Sequence, residues 1–398
     1  MLNEEFTLKN SIKFENHSIF EISHTFQVLE IYIYKMEWTS SKPSSGPKPR
    51  EASCFTVTET AVYIFGGAIH IKNLPVPVES NELWKFDFET ETFTELNADI
   101  FSDMKPCPRA NASLTSRNGK LYLFGGITEK QGWLGDLWCY DVENASWEES
   151  EINDCISPPI RCMHTLTSIN YKDQTTLLLF GGFGPDVQDV SEEDWEDVEE
   201  NDEIGQLQKE QESFKLTRFN DCYMFNTKTK VWQPLHFDIA PAKRAAHRIV
   251  YLESAQKCIL FGGKGDTSRL GDLWEFELAT LTWKQLPSVS ELVPRSFHEM
   301  CLSSCGRNVM VHGGRDSFNG HLSDCYKLRF GEGENSVSSR KIDCDVAVGN
   351  HMFVANKNDK VYIFGGSSDF DAEYGECKNF HEELWIGKST AKKAKMEE

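Results

Sequence analysis

Basic and hydroxyl side chains stand close together in the second half of the chain, between residues 264 and 315. Lys264 and Arg269 lie in one glycine-containing stretch, Arg295 and Ser296 are consecutive, and Arg315 follows a Gly-Gly pair. Arginine and serine side chains can donate charge-assisted hydrogen bonds to a carboxylate. These five residues are candidates for binding an acidic or C-terminal peptide, although ordinary surface salt bridges would also explain them.

A second charged feature is an acidic stretch near the middle of the chain. Eleven carboxylates and no basic side chain lie between Asp186 and Glu203. A block of like charge is normally solvated and disordered, which is one interpretation. The alternative is an acidic arm that binds a basic surface of a partner, with Trp195 as an anchor.

The sequence contains no catalytic or metal-binding motif that we recognise. It has no Gly-x-Ser-x-Gly elbow, no His-Glu-x-x-His pair and no phosphate-binding P-loop. Its twelve cysteines include no Cys-x-x-Cys pair, so reduced thiols are expected rather than a zinc site. We therefore expect a protein that is not an enzyme and that needs no metal or cofactor.

Charge and hydropathy limit the partners and the compartment. The chain has 398 residues, with 41 basic and 62 acidic side chains and a net charge of −21. This balance argues against nucleic acid or an anionic membrane as the main partner. No apolar run approaches the ~20 residues needed to span a bilayer, and Met1–Asn10 does not resemble a secretory signal. We expect a cytoplasmic protein, with the nucleus as an alternative.

A short apolar run that ends in Gly-Gly recurs along the chain. The second glycine of each pair is Gly67, Gly126, Gly182, Gly263, Gly314 or Gly366. The fifth run differs from the others, because His312 replaces the aromatic residue before the glycines. One step is long (263 − 182 = 81), and the others lie near the ~50 residues of a propeller repeat.

Aromatic residues recur in step with the glycines. Four pairs stand nine positions apart, namely Trp84 and Phe93, Trp138 and Trp147, Tyr223 and Trp232, and Trp274 and Trp283. Two strands joined by a short turn give this spacing, and both aromatic side chains would then lie between neighbouring sheets.

An arginine precedes five of the six Gly-Gly runs, at positions 50, 109, 161, 244 and 295. In three cases a histidine follows three positions later: His164, His247 and His298. A residue that every repeat contains is usually structural. We therefore expect the glycines to form turns that exclude a Cβ atom, and the arginines to bond to backbone carbonyls.

Each repeat is predicted to be a four-stranded antiparallel sheet with an apolar face, and such sheets must stack to bury that face. The glycines, aromatics and arginines together resemble the kelch family over roughly residues 36–387. This resemblance implies an all-β, six-bladed kelch β-propeller.

The ring is expected to close by pairing of its two ends. Lys35–Ser40 would supply the missing fourth strand of blade 6, because Trp38 precedes Arg50 as Trp147 and Trp283 precede their arginines. In blade 5, Asn335 stands where an aromatic is expected, which predicts an irregular or shifted last strand. The predicted organisation is an extension (1–34), a propeller (35–388) with an insertion in blade 3 (184–217), and a tail (389–398). Met36 is an alternative start.

Blades 4 and 5 also resemble the kelch-domain receptors of cullin ubiquitin ligases, which capture C-terminal degrons in the propeller mouth. The matching residues are Gly263-Lys264, Arg269 and Arg295-Ser296-Phe297-His298. The resemblance implies a protein-interaction module that holds a terminal carboxylate, in its specific form a ligase substrate adaptor. Lys264 stands where these receptors often have arginine, and no BTB, F-box or elongin-binding segment is recognised. A cytoskeletal or trafficking scaffold is the alternative, and an enzyme on this scaffold is less favoured.

Overall fold

The structure is a computed structural model, and the fold is built almost entirely of β-strands. It describes residues 31–71, 77–98, 104–151, 156–186, 215–331, 336–358, 360–371 and 376–394. One 3-10 turn, Glu253–Ala255, is the helical element among these residues.

The strands are short and follow one another through the whole described chain. In order they are β1 (Ile31–Ser41), β2 (Arg50–Glu51), β3 (Cys54–Val57), β4 (Ala61–Phe65), β5 (Ala68–Ile69), β6 (Val78–Glu79), β7 (Leu83–Asp87), β8 (Thr92–Glu95), β9 (Ser113–Arg117), β10 (Lys120–Thr128), β11 (Gly132–Asp141), β12 (Ser146–Glu149), β13 (Thr165–Tyr171), β14 (Gln174–Pro185), β15 (Leu216–Asn226), β16 (Val231–Leu235), β17 (Arg248–Leu252), β18 (Lys257–Phe261), β19 (Leu273–Glu277), β20 (Thr282–Leu286), β21 (Glu299–Leu302), β22 (Asn308–His312), β23 (Cys325–Phe330), β24 (Val337–Ile342), β25 (Met352–Ala355), β26 (Val361–Phe364), β27 (Ser367–Asp371), β28 (Glu376–Phe380) and β29 (Leu384–Ala394).

The described strands form six four-stranded antiparallel sheets, which we number as blades. Blade 1 is β3-β4-β7-β8, and blades 2 to 5 are β9–β12, β13–β16, β17–β20 and β21–β24. Blade 6 is β25-β26-β29-β1, so its outer strand comes from the other end of the chain. Two smaller sheets, β2-β5-β6 and β27-β28, lie in the loops.

The blades pack face to face in a closed ring. Each apolar cluster joins two neighbouring blades, including a cluster with Phe86 and Phe93 of blade 1 against Tyr362 and Phe364 of blade 6. The all-β propeller predicted from the repeats is therefore confirmed. Burial of both sheet faces stabilises blades that would expose an apolar face in isolation.

The Gly-Gly pairs fasten each blade to the next. The second glycine donates its N–H to a carbonyl at the start of the following blade, which belongs to the opening arginine in five blades, as in Gly126 to Arg161 at 2.9 Å, and to Val348 after blade 5. In the last blade the same bond runs from Gly366 to Arg50 at 3.1 Å and completes the ring. Both glycines have positive φ, and a Cβ atom on Gly125 would lie 2.7 Å from the Arg161 carbonyl oxygen. This is why glycine is required there.

The predicted closure by the two chain ends is confirmed. Strand β1 pairs antiparallel with β29 from Ile31↔Ala394 to Ser41↔Leu384. The Trp38 indole N–H donates to the Asp343 carbonyl at 2.7 Å and the ring packs against Gly387. The pairing extends beyond both predicted boundaries, since β1 begins before Lys35 and β29 continues after Lys388.

The aromatic layer lies where the spacing predicted it. Trp147, Trp232 and Trp283 are buried, and each packs against the preceding blade. Blade 5 departs as predicted, because β24 pairs regularly with β23 only after a longer turn, from Phe330↔Val337 onward.

The insertion in blade 3 begins later and ends earlier than the predicted range 184–217. Gly184↔Thr217 and Pro185↔Leu216 pair within the β14–β15 hairpin, although all four lie inside the predicted range 184–217. The acidic stretch after Asp186, with Trp195, lies outside the described residues.

Candidate functional site

The loops at one end of the propeller, which we call the mouth face, are held by buried arginines. These loops join the second to the third strand within a blade, and one blade to the next. Arg295 is fully buried and donates to both carboxylate oxygens of Asp324, at 2.6 and 2.8 Å, and to the Gly313 carbonyl at 3.1 Å. The same arrangement holds Arg109 with Asp136, Arg161 with Asp221 and Arg244 with Asp272, while Arg50 pairs with Glu82.

These arginines bond to backbone carbonyls, as predicted, but the paired carboxylate was not foreseen. Burial alone would raise the pKa of Asp272, but the Arg244 guanidinium outweighs burial and lowers that pKa overall. Arg295, one of the predicted binding residues, therefore belongs to this structural set and has no surface to offer a ligand. We call the five arginines and their carboxylates the framework pairs.

The histidines that follow the framework arginines are also structural. His164, His247, His298 and the corresponding His351 are buried. The His247 Cε1 atom would lie 2.9 Å from a Cβ atom on Gly181 of the preceding blade. Burial lowers the pKa of these imidazoles, to about 3 for His164, so each is neutral at neutral pH and packs as an uncharged ring.

Four of the five predicted site residues are brought together at the mouth. Arg269 Nε donates to Ser296 Oγ at 2.9 Å, and its Nη2 donates to Asn319 Oδ1 at 2.8 Å. Lys264 forms a backbone bridge with Arg269, and Ser296 forms one with Arg315. Side chains that are far apart in sequence therefore converge on one small area of blades 4 and 5.

Arg315 is held mainly by aromatic rings and a thiol. Its guanidinium carbon lies 5.2 Å from the Phe297 ring and 4.6 Å from the Phe370 ring. Its Nη2 donates to Cys377 Sγ at 2.9 Å. The buried Nε has no hydrogen-bond partner among the described residues. This cation is therefore held by rings and a thiol, and no described carboxylate lies within salt-bridge distance of it.

A further cation, Arg218 on β15, joins the cluster. Its guanidinium lies 5.5 Å from the Phe183 ring and 3.4 Å from Asp266, and its buried Nε also lacks a partner in the described ranges. Comparing the residues after each Gly-Gly pair could not identify Arg218, because it lies at the start of the third strand of blade 3. We call Arg218, Lys264, Arg269 and Arg315 the mouth cations.

The mouth cations repel one another. Burial lowers the pKa of Lys264, and Arg218, Arg269 and Arg315 lower it further. Burial and Arg315 lower the pKa of Arg269. Within the described residues, no carboxylate lies within salt-bridge distance of Lys264, Arg269 or Arg315, whereas every framework arginine has one. An anionic ligand would relieve this repulsion.

Exposed apolar side chains are concentrated on the mouth face. Phe318, in the loop that carries Arg315 and Asn319, is 91% exposed. Nine of the ten large hydrophobic side chains that are exposed in the described part of the chain lie in mouth-face loops or strand ends: Ile71, Val78, Met104, Ile156, Ile160, Leu216, Ile239, Val293 and Phe318. Val57, near the turn between β3 and β4, is the other. An apolar rim around a charged centre is typical of a protein-binding surface.

His312 lies in a buried cluster between blades 5 and 6. Its Nδ1 is 2.8 Å from His351 Nε2, and its Nε2 is 3.3 Å from Cys344 Sγ. Burial lowers the pKa of His312 to about 3. Because opposite ring nitrogens are used, the three side chains do not converge on a metal. Across the described ranges no three His, Cys, Asp or Glu side chains form a metal site.

Comparison with known proteins identifies the family. The model of the KLHDC2/KLHL20/DRC7 Kelch-repeats domain matches residues 16–193 and 208–366. The chain belongs to the kelch-repeat family. Such domains are generally non-enzymatic, and the protein is a protein-interaction module. Over the described residues, no helix is long and apolar enough to cross a membrane.

Curated relatives extend over most of the chain. Kelch domain-containing protein 1 of Homo sapiens is 26% identical over 356 residues, which cover 83% of this chain and 79% of the relative. The same-named protein of Mus musculus is 25% identical over 344 residues, with 80% and 76% covered. Host cell factor homolog hcf-1 of Caenorhabditis elegans is 26% identical over 299 residues, which are 70% of this chain and 33% of that protein.

Proposed function

We propose that the mouth face binds a partner protein through a carboxylate, in the first place the C-terminal carboxylate of a peptide. The observation that supports this most strongly is that three of the mouth cations, Lys264, Arg269 and Arg315, have no carboxylate within salt-bridge distance among the described residues, while Arg218 pairs with the exposed Asp266. Positive charges that lie close together without a neutralising anion repel one another, which is energetically unfavourable. Clusters of this kind are found at sites that bind anions.

The geometry around Arg269 favours a carboxylate in particular. Its Nε is fixed by Ser296 and its Nη2 by Asn319, so the guanidinium plane has little freedom to turn. A planar, oriented guanidinium beside a hydroxyl matches the two oxygens of a carboxylate. Lys264 adds a charge without directional preference. Phe318 and the apolar rim would contact the residues that precede the carboxylate.

We further propose that the protein acts as a substrate receptor of a cullin ubiquitin ligase in the cytoplasm or the nucleus. This specific form is supported by the correspondence of Lys264, Arg269 and Ser296 with the residues that such receptors use. Purification of the full chain from cells, followed by detection of cullin and its adaptors, tests it. Recovery of the chain without any cullin would contradict the ligase role and leave the binding proposal intact.

The binding proposal is tested with fluorescent peptides that sample different C-terminal sequences, measured by anisotropy. Peptides that bind are then remade with an amidated C-terminus. If the terminal carboxylate is the ligand, amidation and Arg269→Ala should each weaken binding about tenfold or more, as expected for a lost charged hydrogen bond. Arg315→Ala should weaken it to a similar extent.

Arg307→Ala is the matched control. Arg307 is exposed in the turn between β21 and β22, at the opposite end of the blades from the mouth, and the substitution removes the same charge. Its affinity should equal that of the wild type. Unchanged affinity in both Arg269→Ala and Arg315→Ala would overturn the proposal. If amidation has no effect while an acidic side chain is required, the ligand is an internal acidic peptide.

A further inference from the structure

The repeat places a residue equivalent to Ser296 in blade 1. The residue after each blade-opening position pairs through its backbone with the residue that follows Gly-Gly, for example Ser296 with Arg315. In chain order these six residues are Glu51, Ala110, Cys162, Ala245, Ser296 and Gly349. Glu51 is the one among them that carries a charge.

The side chains of Glu51 and Ser296 both contact the blade that precedes their own. Ser296 reaches Arg269 in the loop of the preceding blade. Glu51 likewise reaches the preceding blade around the ring, where Ser367 donates its hydroxyl to a Glu51 oxygen at 2.7 Å. The two side chains are thus equivalent elements of one mouth, and one of them already belongs to the proposed carboxylate site.

The Glu51 carboxylate is held in position but remains partly open. His70 lies 3.9 Å away on one side, and the Glu51 side chain is 22% exposed. Burial would raise the pKa of Glu51, but His70, Ser367 and Arg315 outweigh burial and lower it. The group is therefore a fixed anion at neutral pH.

Glu51 is close enough to Arg315 for that cation to lower its pKa, but the two side chains are not bonded to each other. Arg315 forms no salt bridge with it, and the contacts of that guanidinium are Cys377, Phe297 and Phe370. The mouth consequently has a group of cations on blades 3 to 5 and the Glu51 carboxylate on blade 1. A ligand that matches both carries a positive charge at a short distance from its carboxylate.

We propose that Glu51 selects peptides with a lysine or arginine among the last residues before the C-terminal carboxylate. The inference rests on the proposed function, because the cations must first hold the carboxylate. The ligand chain would run across the mouth from blades 4 and 5 towards blade 1, with its basic side chain at Glu51.

The test is a lysine scan in one binding peptide. Lysine and alanine are placed in turn at each of the five positions before the terminal residue, and anisotropy gives the ratio of the two dissociation constants. In the wild type, lysine should bind about fivefold more tightly than alanine at one or two adjacent positions. Glu51→Gln should bring this ratio to about one, and Glu51→Asp should retain part of it.

Glu129→Gln, an exposed carboxylate in the neighbouring mouth-face loop of blade 2, is the control and should keep the wild-type ratio. If lysine gives no advantage at any position while Arg269→Ala still abolishes binding, the role of Glu51 is overturned and the carboxylate site stands. An equal weakening of lysine and alanine peptides by Glu51→Gln would overturn that role in the same way. If no peptide binds at all, the proposed function fails and this inference fails with it.

Discussion

Two arginines of blade 5 differ in how their charges are compensated. Arg295 is buried and joined to both oxygens of Asp324, and each of the four other framework arginines also has a carboxylate partner. Arg315, on the mouth face, lies against two aromatic rings and a thiol. Each framework arginine has a carboxylate partner, whereas in the described part of the chain no carboxylate lies within salt-bridge distance of Lys264, Arg269 or Arg315.

This difference has a physical basis. A buried arginine without a partner would destabilise every blade that contained it, so the framework requires its carboxylates. A mouth cation that was already paired would have to exchange that partner for a ligand, at a cost in affinity. Substitutions in the framework pairs should therefore change stability, whereas substitutions of the mouth cations should change binding.

Removal of the closing strand should have the largest effect on stability. Deleting residues 1–41 takes away all of β1, leaves β29 as an open edge and removes Trp38 from the layer between blades 5 and 6. The loss should exceed the ~3–5 kcal/mol of truncating one buried aromatic, and the melting temperature should fall by ~10 °C or more. Thermal denaturation followed by circular dichroism measures this. An unchanged melting temperature would show that the ring does not depend on β1.

Arg295→Ala should have the second-largest effect on stability. The substitution leaves the Asp324 carboxylate in a largely buried place without its guanidinium, and the expected loss is ~3–5 kcal/mol of unfolding free energy. Urea denaturation gives the value, with Arg315→Ala as the comparison, for which we expect a loss of less than ~1 kcal/mol. If Arg295→Ala retained stability but lost peptide binding, the assignment of Arg295 to the framework would be wrong.

Acid should lower the stability of the propeller, because the buried histidines that follow the framework arginines stay neutral in the folded protein. The pKa of His164 is about 3 in the folded protein, against an ordinary value of 6.5. Below pH ~6.5 the unfolded chain takes up a proton that folded His164 does not. Stability is therefore complete above that pH and falls as the pH decreases towards 3, by ~2 kcal/mol from this residue alone at pH ~5.

The histidine prediction is measured by urea denaturation between pH ~7.5 and pH ~5. His164→Ala, which copies Ala112 at the same position of blade 2, should reduce the pH dependence by about the same ~2 kcal/mol. His236→Ala, at an exposed position, should leave it unchanged. An equal pH dependence in His164→Ala and the wild type would contradict a neutral, buried imidazole.

The repeated features of the fold could be predicted from sequence because they depend on local spacing. The Gly-Gly turns, the paired aromatics and the opening arginines each recur at similar distances, and the outer strand missing from blade 6 pointed to Trp38. The ends of the closing strands could be predicted less accurately from the sequence. Pairing of β1 with β29 beyond Lys35 and Lys388 depends on two chain ends that meet only in the folded ring.

The site could be predicted in part. Lys264, Arg269, Ser296 and Arg315 differ from the corresponding residues of most other blades, which makes them site candidates, whereas Arg295 obeys the repeat. Asp324, its partner, lies 29 residues away, and no local pattern indicates that the two side chains meet. Arg218 and Glu51 enter the mouth from blades 3 and 1, and their convergence follows from the closed ring rather than from neighbouring sequence.

Whether the mouth cations bind a carboxylate is tested by measuring stability and peptide binding together in Arg269→Ala. Urea denaturation should give an unfolding free energy within ~1 kcal/mol of the wild type, while affinity for a C-terminal peptide falls about tenfold or more. This result would place Arg269 in a recognition site that the framework supports but does not need. Loss of stability with unchanged affinity would contradict the central claim that the mouth cations bind a carboxylate.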